Sequence, residues 1–125
     1  MNTNISKLNE VINEIKTSIE GIEGIGIVSP DGLIIVSSFS NEAVDEEQIA
    51  AYTASFLSGS EKTMQYFNKG VPEIFIVKSK EGLVIASSVG ENVGYIIIVT
   101  NEKVKLGMLM IMMKTLRNKI SNILQ

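Results

Sequence analysis

The 125-residue sequence contains no cysteine, no histidine and no tryptophan, only two prolines, and one arginine. Without cysteine there is no disulfide framework and no thiolate ligand for a metal. The missing histidine removes the commonest metal ligand, the commonest general base and the usual switch near neutral pH together. Neither sign of charge is in large excess: 11 Lys and Arg against 14 Asp and Glu give −3 at pH 7. That balance offers no overall pull toward nucleic acid or an anionic membrane. Long apolar runs are also missing. The longest without a charge, "LGMLMIMM" at 106–113, falls far short of the ~20 residues of a spanning helix. The N-terminal "MNTNISKLNEVINEIKTSIEG" lacks the charged, apolar, small-residue order of a signal peptide. The expectation is a cytoplasmic protein with no direct membrane insertion, no nucleic-acid partner and no cofactor or metal.

What is present is an ordinary globular composition, 45% apolar and 20% charged, of a length that suits one domain over 1–125. Ile5, Leu8, Ile12, Ile15 and Ile19 recur every three or four residues, with Lys and Glu between them. This spacing predicts an amphipathic helix over about 3–20, ended by Gly21. The run 22–28 reads as a strand, "SPDG" as a tight turn and "LIIVSS" as the return strand of a hairpin. Acidic residues and either Asn41 or Asp45 as N-cap open a second helix that runs to about Phe67. Asn68 or Gly70, followed by Pro72, stops it. "EIFIVKS" and "GLVIASS" form a second hairpin, "YIIIVT" a fifth strand, and about 103–124 a last helix.

The decapeptides "SPDGLIIVSS" at 29–38 and "SKEGLVIASS" at 79–88 share six of ten residues. Common hairpin chemistry accounts for the pair: each places glycine where the chain must reverse and then begins an apolar strand. Their spacing also divides the chain into αββ–αββ–βα. Several strands are apolar at successive positions, so both of their faces must be covered. The short connections favour an antiparallel sheet. The fold class expected is therefore α+β, a five-stranded antiparallel sheet with one helix on one face and two on the other.

Motifs for chemistry fail on inspection. "GIEGIGIVSPDG" suggests a dinucleotide fingerprint, but Ser29 stands where the third glycine belongs and the glycines lie in a strand. The structural reading of Gly24 and Gly26 is close packing of a helix over the strand. "SGSEKT" at 58–63 lacks the first glycine and the Gly-Lys pair of a phosphate loop. Glu42, Asp45, Glu46 and Glu47 lack the spacing of a calcium loop and read as a helix start. Ser37, Ser38, Ser87 and Ser88 have no visible activating base. Arg117 reads as a cation near a helix C-terminus. No residue stands out as catalytic, and the protein is expected not to be an enzyme.

Two features point to association instead. The last helix carries apolar side chains all round its first half, more than one buried stripe uses. The second helix has a smooth side of Ala50, Ala51, Ala54, Ser55, Ser58, Gly59 and Ser60. Alone on its face of the sheet, it would leave its flanks uncovered beside an edge strand. This predicts a two-fold homodimer built from Tyr52, Phe56, Ser60 and Met64 of the second helix and Glu73, Ile74, Phe75, Ile76 and Val77 of the third strand.

The order αββαβββα, with "IEGIGIVSPDGLIIVSS", "EEQIAAYTASFLSGSEKTMQYF", "EIFIVKSKEGLVIASS" and "YIIIVTNEKVKLGMLMIMM", resembles the Roadblock/dynein-light-chain family. Within it, the chain is most similar to single-domain prokaryotic proteins of the MglB type. The resemblance implies dimers with a continuous sheet that act as scaffolds or regulators of Ras-like small GTPases. It also implies that hydrolysis is stimulated by repositioning the GTPase's own residues, with no inserted arginine. On that reading the GTPase-binding surface comprises Asn41, Glu42, Glu46, Glu47, Ala50, Ala54 and Ser58. The alternative is a structural adaptor that pairs with other Roadblock or longin-type subunits. A small-molecule sensor is a third reading, and it requires an apolar pocket of ~300 Å³ or more.

Overall fold

In the computed structural model, which describes residues 3–125, three helices enclose one sheet. The elements are α1 Thr3–Ser18, β1 Ile22–Val28, β2 Ile34–Phe39, α2 Glu46–Tyr66, β3 Ile74–Ser79, β4 Gly82–Gly90, β5 Gly94–Thr100 and α3 Leu106–Leu124. The strand order is β2-β1-β5-β4-β3, antiparallel throughout. β5 therefore lies between the two hairpins and pairs with both. This central place explains its unbroken apolar run, because side chains on both faces are buried.

On one face Ile96 and Ile98 of β5 join Ile25, Ile27, Val36, Leu83 and Ile85 from the neighbouring strands. α1 covers them with Leu8, Ile12, Ile15 and Ile19, and α3 with Leu109, Met113, Leu116 and Ile120. The four buried residues of α3 are spaced four, three and four apart, the stripe of a single helix face. The other face of the sheet carries α2, seated by Ile49, Ala50, Thr53 and Leu57. The division of helices is thus two and one, as the sequence predicts.

Polar groups inside this core are satisfied. The fully buried Thr53 hydroxyl donates to the Ile49 carbonyl oxygen at 2.7 Å, and that of Ser87 to the Glu73 carbonyl oxygen at 3.0 Å. The Thr100 hydroxyl accepts from the Leu83 N–H at 3.1 Å. Such bonds offset the desolvation that burial imposes on a hydroxyl.

Three details differ from the sequence reading. α3 begins at Leu106, not 103, because the Asn101 side-chain oxygen accepts from the Lys103 N–H at 2.9 Å and holds a turn there. Asp45 takes the N-cap position of α2, yet its side chain makes no capping bond. Asn41 instead closes its own loop by accepting from the Ala43 N–H at 2.9 Å. Thirdly, the two like decapeptides turn differently. In the first, five residues separate β1 from β2, and Gly32 has φ +84° with nothing within 4 Å of its Cβ direction. In the second, Lys80 and Glu81 alone make the turn, and Gly82 already pairs with Ser79. Gly82 has φ +149°, and a Cβ there would lie 1.9 Å from the Thr100 carbonyl oxygen. The first glycine is needed for its torsion, the second also for close backbone approach.

Candidate functional site

The α2 face is less completely packed than the face opposite. Beneath α2 the sheet offers Gly24, Gly26 and Ala86, residues too small to reach the helix. Phe39 fills part of the space: it pairs with Gly24 across the hairpin, and a Cβ on Gly24 would fall 1.9 Å from the Phe39 ring. The glycines thus accommodate a cross-strand aromatic ring rather than a helix, which corrects the sequence reading.

Beyond Phe39 the covering stops. A groove of about 420 Å³ runs between one flank of α2 and the sheet. Tyr52 and Phe56 form its helical wall, Val84, Ile97 and Val99 its floor, and Val44 closes one end. Tyr52 is 65% exposed and Phe56 38%. In volume this lies within the range of small-molecule pockets and meets the requirement of the sensor reading. The floor residues are absent from the sequence-predicted site. Strand alternation carries their signal, since Ile97 and Val99 must face away from Ile96 and Ile98.

Next to the groove lies β3, the outer strand of the sheet. Its far half is scarcely covered: Ile76 and Val77 are exposed, while Ile74 and Phe75 are half-buried. The opposite edge, β2, is flanked by both α1 and α2 and ties to them through Lys16 to Ser38 and Ser37 to Glu46. Of the two edges, β3 is the open one. Among the remaining residues predicted for the dimer, Ser60 and Met64 are half-buried on α2, and Glu73 is exposed.

The residues predicted to meet a GTPase are only partly gathered. Asn41, Glu42, Glu46 and Glu47 are exposed on the loop and first turn of α2. Glu46 leans to β2, where its carboxylate accepts from the Ser37 hydroxyl at 3.3 Å. Ala54 and Ser58 lie on the other flank of α2, lining a small cleft with Pro30 and Gly32 of the first hairpin loop. Ala50 is buried and belongs to the seat of the helix, not to the exposed surface.

Arg117 is not free at a helix end. Its Nε donates to the Ser88 carbonyl oxygen at 2.8 Å, which ties α3 to the end of β4. Among the described residues no group of three or more carboxylates is placed to hold a metal, and no helix is long and apolar enough to cross a membrane. The site is an apolar groove beside an open strand edge, with an acidic loop above it.

Comparison with known proteins agrees with this architecture. The chain is 32% identical over 101 residues to MJ0310 and to MJ1340 of Methanocaldococcus jannaschii, covering 81% of this chain and 86% of each relative. Among solved structures, the gliding protein mglB of Thermus thermophilus matches with a TM-score of 0.86 at 12% identity, covering 99% of this chain and 93% of that one. MglB of Myxococcus xanthus matches with a TM-score of 0.85 at 14% identity, covering 98% and 91%. A structure of MglB with a tetrameric arrangement gives 0.89 at 12% identity, covering 99% and 92%. At such identities the structural matches speak to the fold alone. The Roadblock/LC7 domain model matches residues 7–101, most of the chain and every strand in it, and the chain belongs to the Roadblock/LC7 domain family.

Proposed function

We propose that the protein is a cytoplasmic homodimer, joined through α2 and β3, that binds and regulates a Ras-like small GTPase without a catalytic group of its own. The observation that carries the pairing is the continuity of the open apolar groove beside Tyr52 and Phe56 with the uncovered β3 edge. Antiparallel pairing of two β3 strands would give one sheet of ten strands and lay each α2 beside its copy. That would cover the apolar flank and the edge together. The likeness in fold to MglB supports the GTPase as partner, and the acidic loop and outer face of α2, from Glu42 to Ser58, are the surface assigned to it. Stimulated hydrolysis would come from holding the GTPase in its competent conformation.

The test mixes the full chain with Ras-like GTPases of the same organism, loaded with GTP or GDP, and follows both binding and phosphate release. Binding with faster release supports regulation. Binding without a change in release supports the adaptor. No binding in either nucleotide state refutes the GTPase reading.

The groove volume favours one second reading, an apolar small-molecule site. A ligand there competes with pairing, so light scattering with and without added fatty acid separates the two. A dimer unaffected by the fatty acid refutes the ligand reading.

A further inference from the structure

Charge is divided along the chain in a way the net value hides. Residues 103–125 hold five of the eleven cations, Lys103, Lys105, Lys114, Arg117 and Lys119, and no Asp or Glu. All four lysines are exposed. The outer crest of α3 is apolar as well: Ile111 is 72% exposed and Met108 50%. Helical spacing puts Met108, Ile111 and Thr115 in one row, and Met110, Lys114 and Arg117 in the next. Because Arg117 reaches Ser88 of β4, the second row lies on the flank away from α1.

α1, packed alongside α3, is acidic on its own outer side, where Glu10 and Glu14 are exposed. Lys7 is its one outward cation on the flank toward α3. The two helices run antiparallel, since α1 leads into β1, α3 follows β5, and those strands are antiparallel. Their ends meet where the Cβ direction of Gly21 points to within 2.6 Å of the Val104 nitrogen. Eleven residues back from Gly21 is Glu10, and ten on from Val104 is Lys114, so the two stand at nearly the same height. Ile111 stands level with Glu14.

We propose that this face joins two copies of the chain about a two-fold axis parallel to the helices. Each α3 then lies in the furrow between α1 and α3 of the other copy. The row of Met108 and Ile111 meets its own symmetry mate at the axis, where the unbranched methionine adapts to the contact. Lys114 faces Glu10 and Glu14 of the second copy, and the same pairing recurs by symmetry. An anionic lipid surface suits the lysines alone, but the carboxylates of α1 lie in the same plane and would be repelled by it. This face is opposite α2 and does not depend on the pairing proposed above. With that pairing it would give a dimer of dimers.

The test is light scattering of the full chain across concentration and salt, in a Val77→Lys, Phe56→Asp background that blocks the β3 and α2 contacts. Both positions are exposed, and circular dichroism checks the fold. The background variant is expected to remain a salt-sensitive dimer. Adding Ile111→Lys, Lys114→Glu or Glu10→Lys should each weaken it by about tenfold or more, and Lys114→Glu combined with Glu10→Lys should restore it. A background variant that is monomeric at every concentration, or a double charge reversal no tighter than the singles, overturns the inference. So does Lys114-dependent binding to phosphatidylserine vesicles by a chain that does not self-associate. Failure of the β3–α2 pairing would show separately, as identical behaviour of the wild-type and background chains.

Discussion

Replacing glycine by alanine at the two like turns separates torsion from contact. At Gly32 the new methyl meets nothing within 4 Å, and only the φ of +84° opposes it. A left-handed residue costs roughly 1–2 kcal/mol, and the stiffer unfolded chain returns roughly 0.4–1 kcal/mol of that. Gly32→Ala should therefore lose about 1 kcal/mol. At Gly82 the φ of +149° is coupled to a Cβ position 1.9 Å from the Thr100 oxygen. That oxygen belongs to β5 backbone at the centre of the sheet and cannot rotate away. β4 would have to move by more than about 1 Å to reach an ordinary contact distance. Such a shift stretches the bond from the Leu83 N–H to the Thr100 hydroxyl, worth ~1 kcal/mol in net terms, and strains the β4–β5 ladder beside it. With a backbone cost of roughly 1–3 kcal/mol, Gly82→Ala should lose at least ~3 kcal/mol. Urea titration of both variants gives the difference directly, with the slope checked for constancy. Losses within about 0.5 kcal/mol of each other would refute the claim that the two glycines do different work.

Three further outcomes are expected. Gly24→Ala alone should destabilise strongly, because its methyl collides with the Phe39 ring. In a Phe39→Ala background the same change should cost less than ~1 kcal/mol, and additive losses in that double-mutant cycle would refute the packing account. In α3, Met113→Ala should cost ~2–5 kcal/mol by opening a cavity in the buried stripe. Ile111→Ala, from the exposed crest, should leave the midpoint of a dilute sample nearly unchanged; a loss comparable to Met113→Ala would place Ile111 in the core. If the proposed β3 pairing holds, Val77→Lys should halve the molar mass of the chain in solution with an unaltered circular dichroism spectrum, since a lysine on an open edge opposes strand pairing. An unchanged molar mass in light scattering would remove β3 from the interface.

The sequence carries most of the fold because three of its signals act locally. The spacing of Leu8, Ile12, Ile15 and Ile19 belongs to a helix whatever lies next to it. The successive apolar residues of "YIIIVT" require two covered faces, and the short turns impose antiparallel hairpins. What escapes local reading depends on register. That Phe39 lies over Gly24 follows from their pairing across the hairpin, fifteen positions apart, and no periodicity encodes it. The floor of the groove likewise joins residues of β4 and β5 to residues of α2. For α3, apolar side chains all round the first half leave the inward direction undecided. The resolution comes from its second half, where Leu116 and Ile120 continue the row of Leu109 and Met113. The N-cap position of α2 is among the two the sequence offers, but the absence of its capping bond is not legible there. Asp45 sits at the right place, but capping depends on a side-chain rotamer that composition does not specify.

The two faces of the sheet explain why a chain so poor in chemical groups still has something to do. Under α1 and α3, isoleucine and leucine from both layers fill the space, and the core closes within one copy. Under α2 the sheet presents glycine and alanine, and Phe39 spans only part of the gap. Tyr52 and Phe56 are left half in solvent beside a strand with no outer neighbour. A larger residue at Gly26, where a Cβ meets only ordinary contacts of 3.4 Å and beyond, could have taken up part of that gap. Keeping it open sacrifices burial worth about 25 cal/mol for each Å² left wet, and the proposed pairing would recover that area. The groove is thus the part of the structure left open in one copy, and the proposed two-fold pairing through α2 and β3 would close it using residues already in place.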